Sequence, residues 1–121
     1  MNLLGQLLIA IIAVLHIGFL VLEMFLWTRP FGLKVFRQSR EQAETSAVVA
    51  ANQGLYNGFL AAGLIGSLLQ NDANCAFQNQ MFFLGCVTIA GLYGAYTVSR
   101  RILFIQALPA IIAILLLNLS A

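Results

Sequence analysis

Long apolar runs broken by short polar ones organise this 121-residue chain. The first, Leu3 to Trp27, is almost wholly apolar yet carries His16 and Glu23. A run of that length crosses a bilayer as a helix, for which about 20 apolar residues suffice. Comparable runs cover about 47–69, 77–98 and 102–119. The pattern predicts an all-α protein with one domain over 1–121: a four-helix transmembrane bundle of antiparallel, up-down topology.

The boundaries have local causes. Trp27 marks a membrane interface, and Pro30 pushes Arg29 out of helical conformation. Ser39 followed by Gln42 reads as a capping box, with Arg37/Glu41 and Arg40/Glu44 at i,i+4 spacing. The second long helix is therefore expected to start near Arg40, with Phe31, Leu33 and Phe36 dipping into the interface. Small residues recur every four positions at Ala50, Gly54, Gly58, Ala62 and Gly66, and again at Cys86, Ala90 and Gly94. Such stripes let helix backbones approach closely in lipid, and a seam within the chain is the plainer reading than a dimer seam. Gln70 to Ala76 is read as a polar loop holding Asp72 and Cys75. A turn around Ser99–Arg101 makes the last two spans antiparallel neighbours. Pro109 is expected to kink the fourth.

Composition makes lipid the solvent. The chain is 61% hydrophobic and 8% charged, against roughly 25% charged in soluble domains. A net charge of +2, with no basic run interleaved with aromatics, gives no sign of nucleic-acid binding. No signal-peptide pattern precedes the first run, which is expected to stay in the mature protein. Cys75 and Cys86 have neither disulfide, redox nor zinc spacing. All six Lys and Arg fall in the first and third connections. The positive-inside rule puts those in the cytoplasm and both termini outside the inner membrane.

The candidate chemistry lies in the ionisable residues. An ionisable group within a span costs roughly 2.5–3.5 kcal/mol on insertion scales and should face the bundle. His16 and Glu23, seven apart, share one helix face to within ~20°. Counting ~1.5 Å per residue puts Asn52, Gln53, Tyr56, Asn57, Tyr93 and Gln106 at matching depths in the cytoplasmic half. Three readings compete for this layer. One is a pocket for a small lipophilic or amphiphilic ligand, with acid–base chemistry by Glu23 and His16 and the amides and tyrosines as ligand contacts. The second is a proton-coupled transporter of small molecules, with Glu23 as the exchanging group. The third is interhelical glue, at about 0.6 kcal/mol per contact. No cofactor is called for. One His and one intramembrane carboxylate are too few for a metal within a monomer. A homodimer remains open as a partner besides the bilayer.

Two strings carry a resemblance. Glu23-Met-Phe-Leu-Trp-Thr-Arg-Pro-Phe-Gly32 and Ala51-Asn-Gln-Gly-Leu-Tyr-Asn-Gly-Phe-Leu-Ala-Ala-Gly-Leu64 resemble a bacterial family of small integral membrane proteins, domain of unknown function 1304. The likeness covers the whole chain, His16 included. It implies a four-span inner-membrane protein and no particular activity. Glu23, Asn52, Gln53, Tyr56 and Asn57 all lie within these strings.

Overall fold

A computed structural model describes residues 2–120, and every regular element among them is helical. In chain order these are α1 (Leu3–Met24), α2 (Pro30–Phe36), α3 (Arg40–Leu69), α4 (Ala73–Thr97), a π-helical turn (Leu103–Ala107) and α5 (Leu108–Leu119). Among the described residues, α1 and α4 are long and apolar enough to cross a membrane, and Leu103–Leu119 forms a shorter apolar helix. The chain divides into two compact units. One is Val14–Ala61, and the other comprises Met1–Ala13 with Ala62–Ala121.

In the Val14–Ala61 unit, α1 stops at Met24, three residues short of the expected Trp27. Arg29 is extended (φ −81°, ψ 157°), as the residue before a proline should be, and Pro30 then opens α2 at its first turn. The expected interfacial linker is thus a short helix, with Phe31 61% exposed. Gly32 makes its packing feasible, because a Cβ there would collide with the carbonyl oxygen of Leu26. The indole of Trp27 lies on Phe36 at 4.7 Å between ring centres, and its Nε1 donates to Ser46 Oγ at 3.1 Å. Arg37 ends α2 in the left-handed region at φ 52°. It lies outside α3, so the expected helical pairing with Glu41 does not arise. The capping box does form. Gln42 N donates to Ser39 Oγ at 3.1 Å, and Ser39 N donates to Gln42 Oε1 at 2.9 Å.

The buried positions of α3 are Ala43, Ala50, Gly54, Ala61, Leu64 and Ser67. Their spacings of seven, four, seven and three follow a heptad as far as Leu64. The i+4 stripe departs from it, because each four-residue step turns the helix ~40° too far. Ala50, Gly54 and Gly58 stay buried or half-buried, whereas Ala62 and Gly66 are exposed.

In the other unit, Asp72 caps α4 by accepting from Asn74 N at 2.9 Å and Cys75 N at 3.0 Å. Cys75 therefore occupies the first turn of α4 instead of a loop. The buried face of α4 is Ala76, Gln80, Leu84, Val87 and Gly91, which leaves the expected stripe largely off it: Ala90 is exposed. Gly91 brings α4 onto the π-helical turn, where a Cβ would lie 2.5 Å from Ala107 N. The turn itself answers Pro109. Leu108 N–H reaches back five residues to Leu103 O, widening the helix just ahead of a residue that has no N–H to give. Gln6 and Gln80 join α1 to α4 by a reciprocal amide pair, with N···O distances of 3.3 and 3.0 Å.

Two glycine variants test the packing. Gly32→Ala should destabilise the detergent-solubilised protein by about 1–3 kcal/mol or more, as overpacking against fixed backbone does. Gly66→Ala, with no neighbouring atom within 4 Å of its new methyl, should be neutral or stabilising by up to about 1 kcal/mol. Thermal melting of both variants beside the wild type is the measurement.

Candidate functional site

The site grows out of one stripe on α1. Ile9, Ile12, Ala13, His16 and Glu23 are all buried, and the two ionisable residues follow the apolar ones along the same face. His16 is 1% exposed, its ring edge-on to Phe19 at 5.1 Å between centres. Glu23 is 8% exposed.

Within the Val14–Ala61 unit, Glu23 turns to α3. Asn57 Nδ2 donates to Glu23 Oε1 at 2.5 Å, a hydrogen bond from an amide to a carboxyl oxygen. The approach depends on Gly54, one turn before Asn57. A Cβ at that position would lie 2.8 Å from Met24 Cγ, 3.0 Å from Glu23 Cβ and 3.2 Å from the Leu20 carbonyl oxygen. Gly58 extends the seam, facing Leu20 Cδ1 at 2.6 Å from where its Cβ would stand. Small residues thus set the gap, and the carboxyl–amide bond closes it.

The other expected site residues behave differently. Asn52, Gln53 and Tyr56 share α3 with Asn57 but are exposed. Helical rotation explains this. At ~100° per residue, Gln53 lies about 40° from Asn57, Tyr56 about 100° and Asn52 about 140°. Only Gln53 flanks the carboxyl–amide pair, and Tyr56, 64% exposed, leans its ring on Phe59 at 5.9 Å. Tyr93 lies ~200° around α4 from Gly91 and is 70% exposed. Gln106 is half-buried within the π-helical turn. The structure brings Glu23 and Asn57 together and leaves Asn52, Tyr56 and Tyr93 on outward faces. No group of three or more His, Cys, Asp or Glu suited to a metal occurs among the described residues.

The sequence reading passed over the polar side chains at the other end of the long helices: Asn2, Gln6, Ser67 and Gln80. Their signal was available, since an amide is as anomalous as a carboxyl inside an apolar run. Ser67 and Gln80 are 1% and 3% exposed.

The two motif strings now have a physical meaning. Glu23 bonds Asn57, Trp27 bonds Ser46, Pro30 starts α2, Gly32 seats it, and Gly54 and Gly58 admit α1. The chain belongs to the family described as "Protein of unknown function (DUF1304)", which it matches over residues 10–118. It is similar to the uncharacterized protein YpaA of Lactococcus lactis subsp. lactis (strain IL1403), at 27% identity over 117 residues. That alignment covers 95% of this chain and 97% of the relative. No solved structure matches it.

Asn57→Leu should destabilise the protein by about 1–3 kcal/mol, the penalty for leaving a buried polar group without its partner. Ser120→Ala, at an exposed position, should fall within about 0.5 kcal/mol of wild type. Unfolding in a mixed-detergent titration would register the contrast.

Proposed function

We propose that this member of the family crosses the bacterial inner membrane four times as a single bundle, with both termini outside. In this reading it binds a small lipophilic or amphiphilic ligand beside Glu23. Charge supports the topology. Arg29, Lys34, Arg37 and Arg40 lie between α1 and α3, and Arg100 and Arg101 follow α4, while residues 70–72 between α3 and α4 carry no Lys or Arg. α3 completes the set because its 30 residues are ample for a span at 1.5 Å each.

One observation carries the ligand reading. A carboxyl group at membrane depth is buried and bonded to Asn57, and α3 continues from that contact into the exposed Gln53 and Tyr56. Gln53, which flanks the pair, offers a hydrogen bond to a molecule arriving from the bilayer, with Tyr56 and Asn52 further round the helix, and Glu23 is the proton-exchanging group. His16, on the same stripe, is its acid–base companion. The same 2.5 Å bond favours a second reading, in which Glu23 and Asn57 only lock α1 to α3.

Glu23→Gln separates the two, since a glutamine oxygen still accepts from Asn57 while the ionisable group is gone. Wild-type protein extracted from membranes should retain a small molecule detectable by native mass spectrometry. Glu23→Gln should lose it with a melting temperature near wild type, and His16→Ala should lose it as well. Equal retention by the wild type and both variants, or by none, assigns the pair to locking alone.

Topology is tested at Cys75, which is exposed at the start of α4. A membrane-impermeant maleimide should label it from the periplasmic or external side of intact cells. Labelling only from the cytoplasmic side refutes the orientation.

A further inference from the structure

In the unit formed by the chain's beginning and its second half, a cleft of about 340 Å³ opens among the start of α1, the end of α3, the start of α4 and the end of α5. Its polar lining includes Asn2, Gln6, Ser67, Asn74 and Gln80, and Phe77 contributes an aromatic wall. None of the residues that line it is Asp, Glu, Lys, Arg or His. The nearby Asp72 carboxylate is already committed to the backbone N–H groups of Asn74 and Cys75.

The hydrogen-bond inventory defines what fits. In the Gln6–Gln80 pair each amide donates once and accepts once, so each keeps a second N–H and a second lone pair. Ser67 donates to Leu64 O at 2.6 Å, which leaves its oxygen able to accept. The lining thus presents donors and acceptors in mixture, without charge. Hydroxyl groups, which both donate and accept, satisfy such a lining. Among the described residues that line it, an anion finds no cation and a cation finds no free carboxylate. Two of the polar side chains, Ser67 and Gln80, are more than nine-tenths buried, so the polarity is built into the packed interior of the cleft and is not a solvated rim.

We propose that this cleft binds an uncharged, hydroxyl-rich group, of the kind carried by a neutral glycerolipid headgroup or by a free polyol. The proposal does not depend on the Glu23 site or on the membrane orientation, since it concerns different residues in a different unit.

The test uses the full chain with Cys86→Ser, so that Cys75 alone carries an environment-sensitive maleimide dye. Cys75 stands between Asn74 and Ala76, both on the cleft wall. The protein is held in a zwitterionic detergent free of hydroxyls and titrated with monooctanoylglycerol, with glycerol, and with inorganic phosphate. A saturable dye response to monooctanoylglycerol alone supports a lipid headgroup as occupant. A saturable response to glycerol as well supports a soluble polyol. In either case Gln80→Met should weaken binding about tenfold, the loss expected for a hydrogen bond or two. Asn74→Ala, which removes an exposed side chain and leaves the packed interior intact, should weaken it in the same direction. A response that never saturates, is unchanged in both variants, or is competed by phosphate overturns the proposal.

Discussion

The close approach of α1 and α3 at Gly54 is the constraint on which the Val14–Ala61 unit depends. With a side chain at that position, Met24, Glu23 and the Leu20 carbonyl could not stand where they do. Without that approach, Asn57 could not reach the Glu23 carboxyl. The helices are thus brought together by the absence of atoms at one position and fixed by a polar contact one turn later. In the membrane setting proposed above, this order matters. Apolar burial offers little net drive between helices there, so dispersion at small residues and interhelical hydrogen bonds determine which faces meet.

The rest of that unit secures the ends of the same two helices. Trp27, just beyond α1, reaches Ser46 in the second turn of α3. Between them α2 folds back so closely that position 32 has no room for a Cβ. The capping box at Ser39 and Gln42 then satisfies the first orphan N–H groups of α3. Each device is local in sequence, and together they hold a tight turn between long helices that would otherwise leave backbone groups unpaired.

The second unit uses related means for a different purpose. Gly91 admits the π-helical turn, and that turn absorbs Pro109 without ending the helix. An amide pair, Gln6 with Gln80, replaces the carboxyl–amide pair. An uncharged pair leaves both spare N–H groups and spare lone pairs to its surroundings, and the cleft beside it is polar without being ionic.

Much was legible in the sequence because it is encoded locally. The capping box, the extended Arg29 ahead of Pro30, the start of α3 at Arg40 and the disturbance around Pro109 each follow from a few adjacent residues. The shared face of His16 and Glu23 follows from the helical period alone. Depth along a helix was legible, and the face each residue occupies was not. Asn52, Tyr56 and Tyr93 stand at suitable heights along their helices but on outward faces, and the i+4 stripe rotates off the seam after three members. Counting residues fixes height along a helix at 1.5 Å each, whereas the face a helix turns to its neighbour is set by where that neighbour can come closest. The sequence by itself determined the long helices, the start of α3 and the shared face of His16 and Glu23 on α1. Only the tertiary structure decided that Asn57 is the residue answering Glu23, because that choice rests on the gap opened at Gly54.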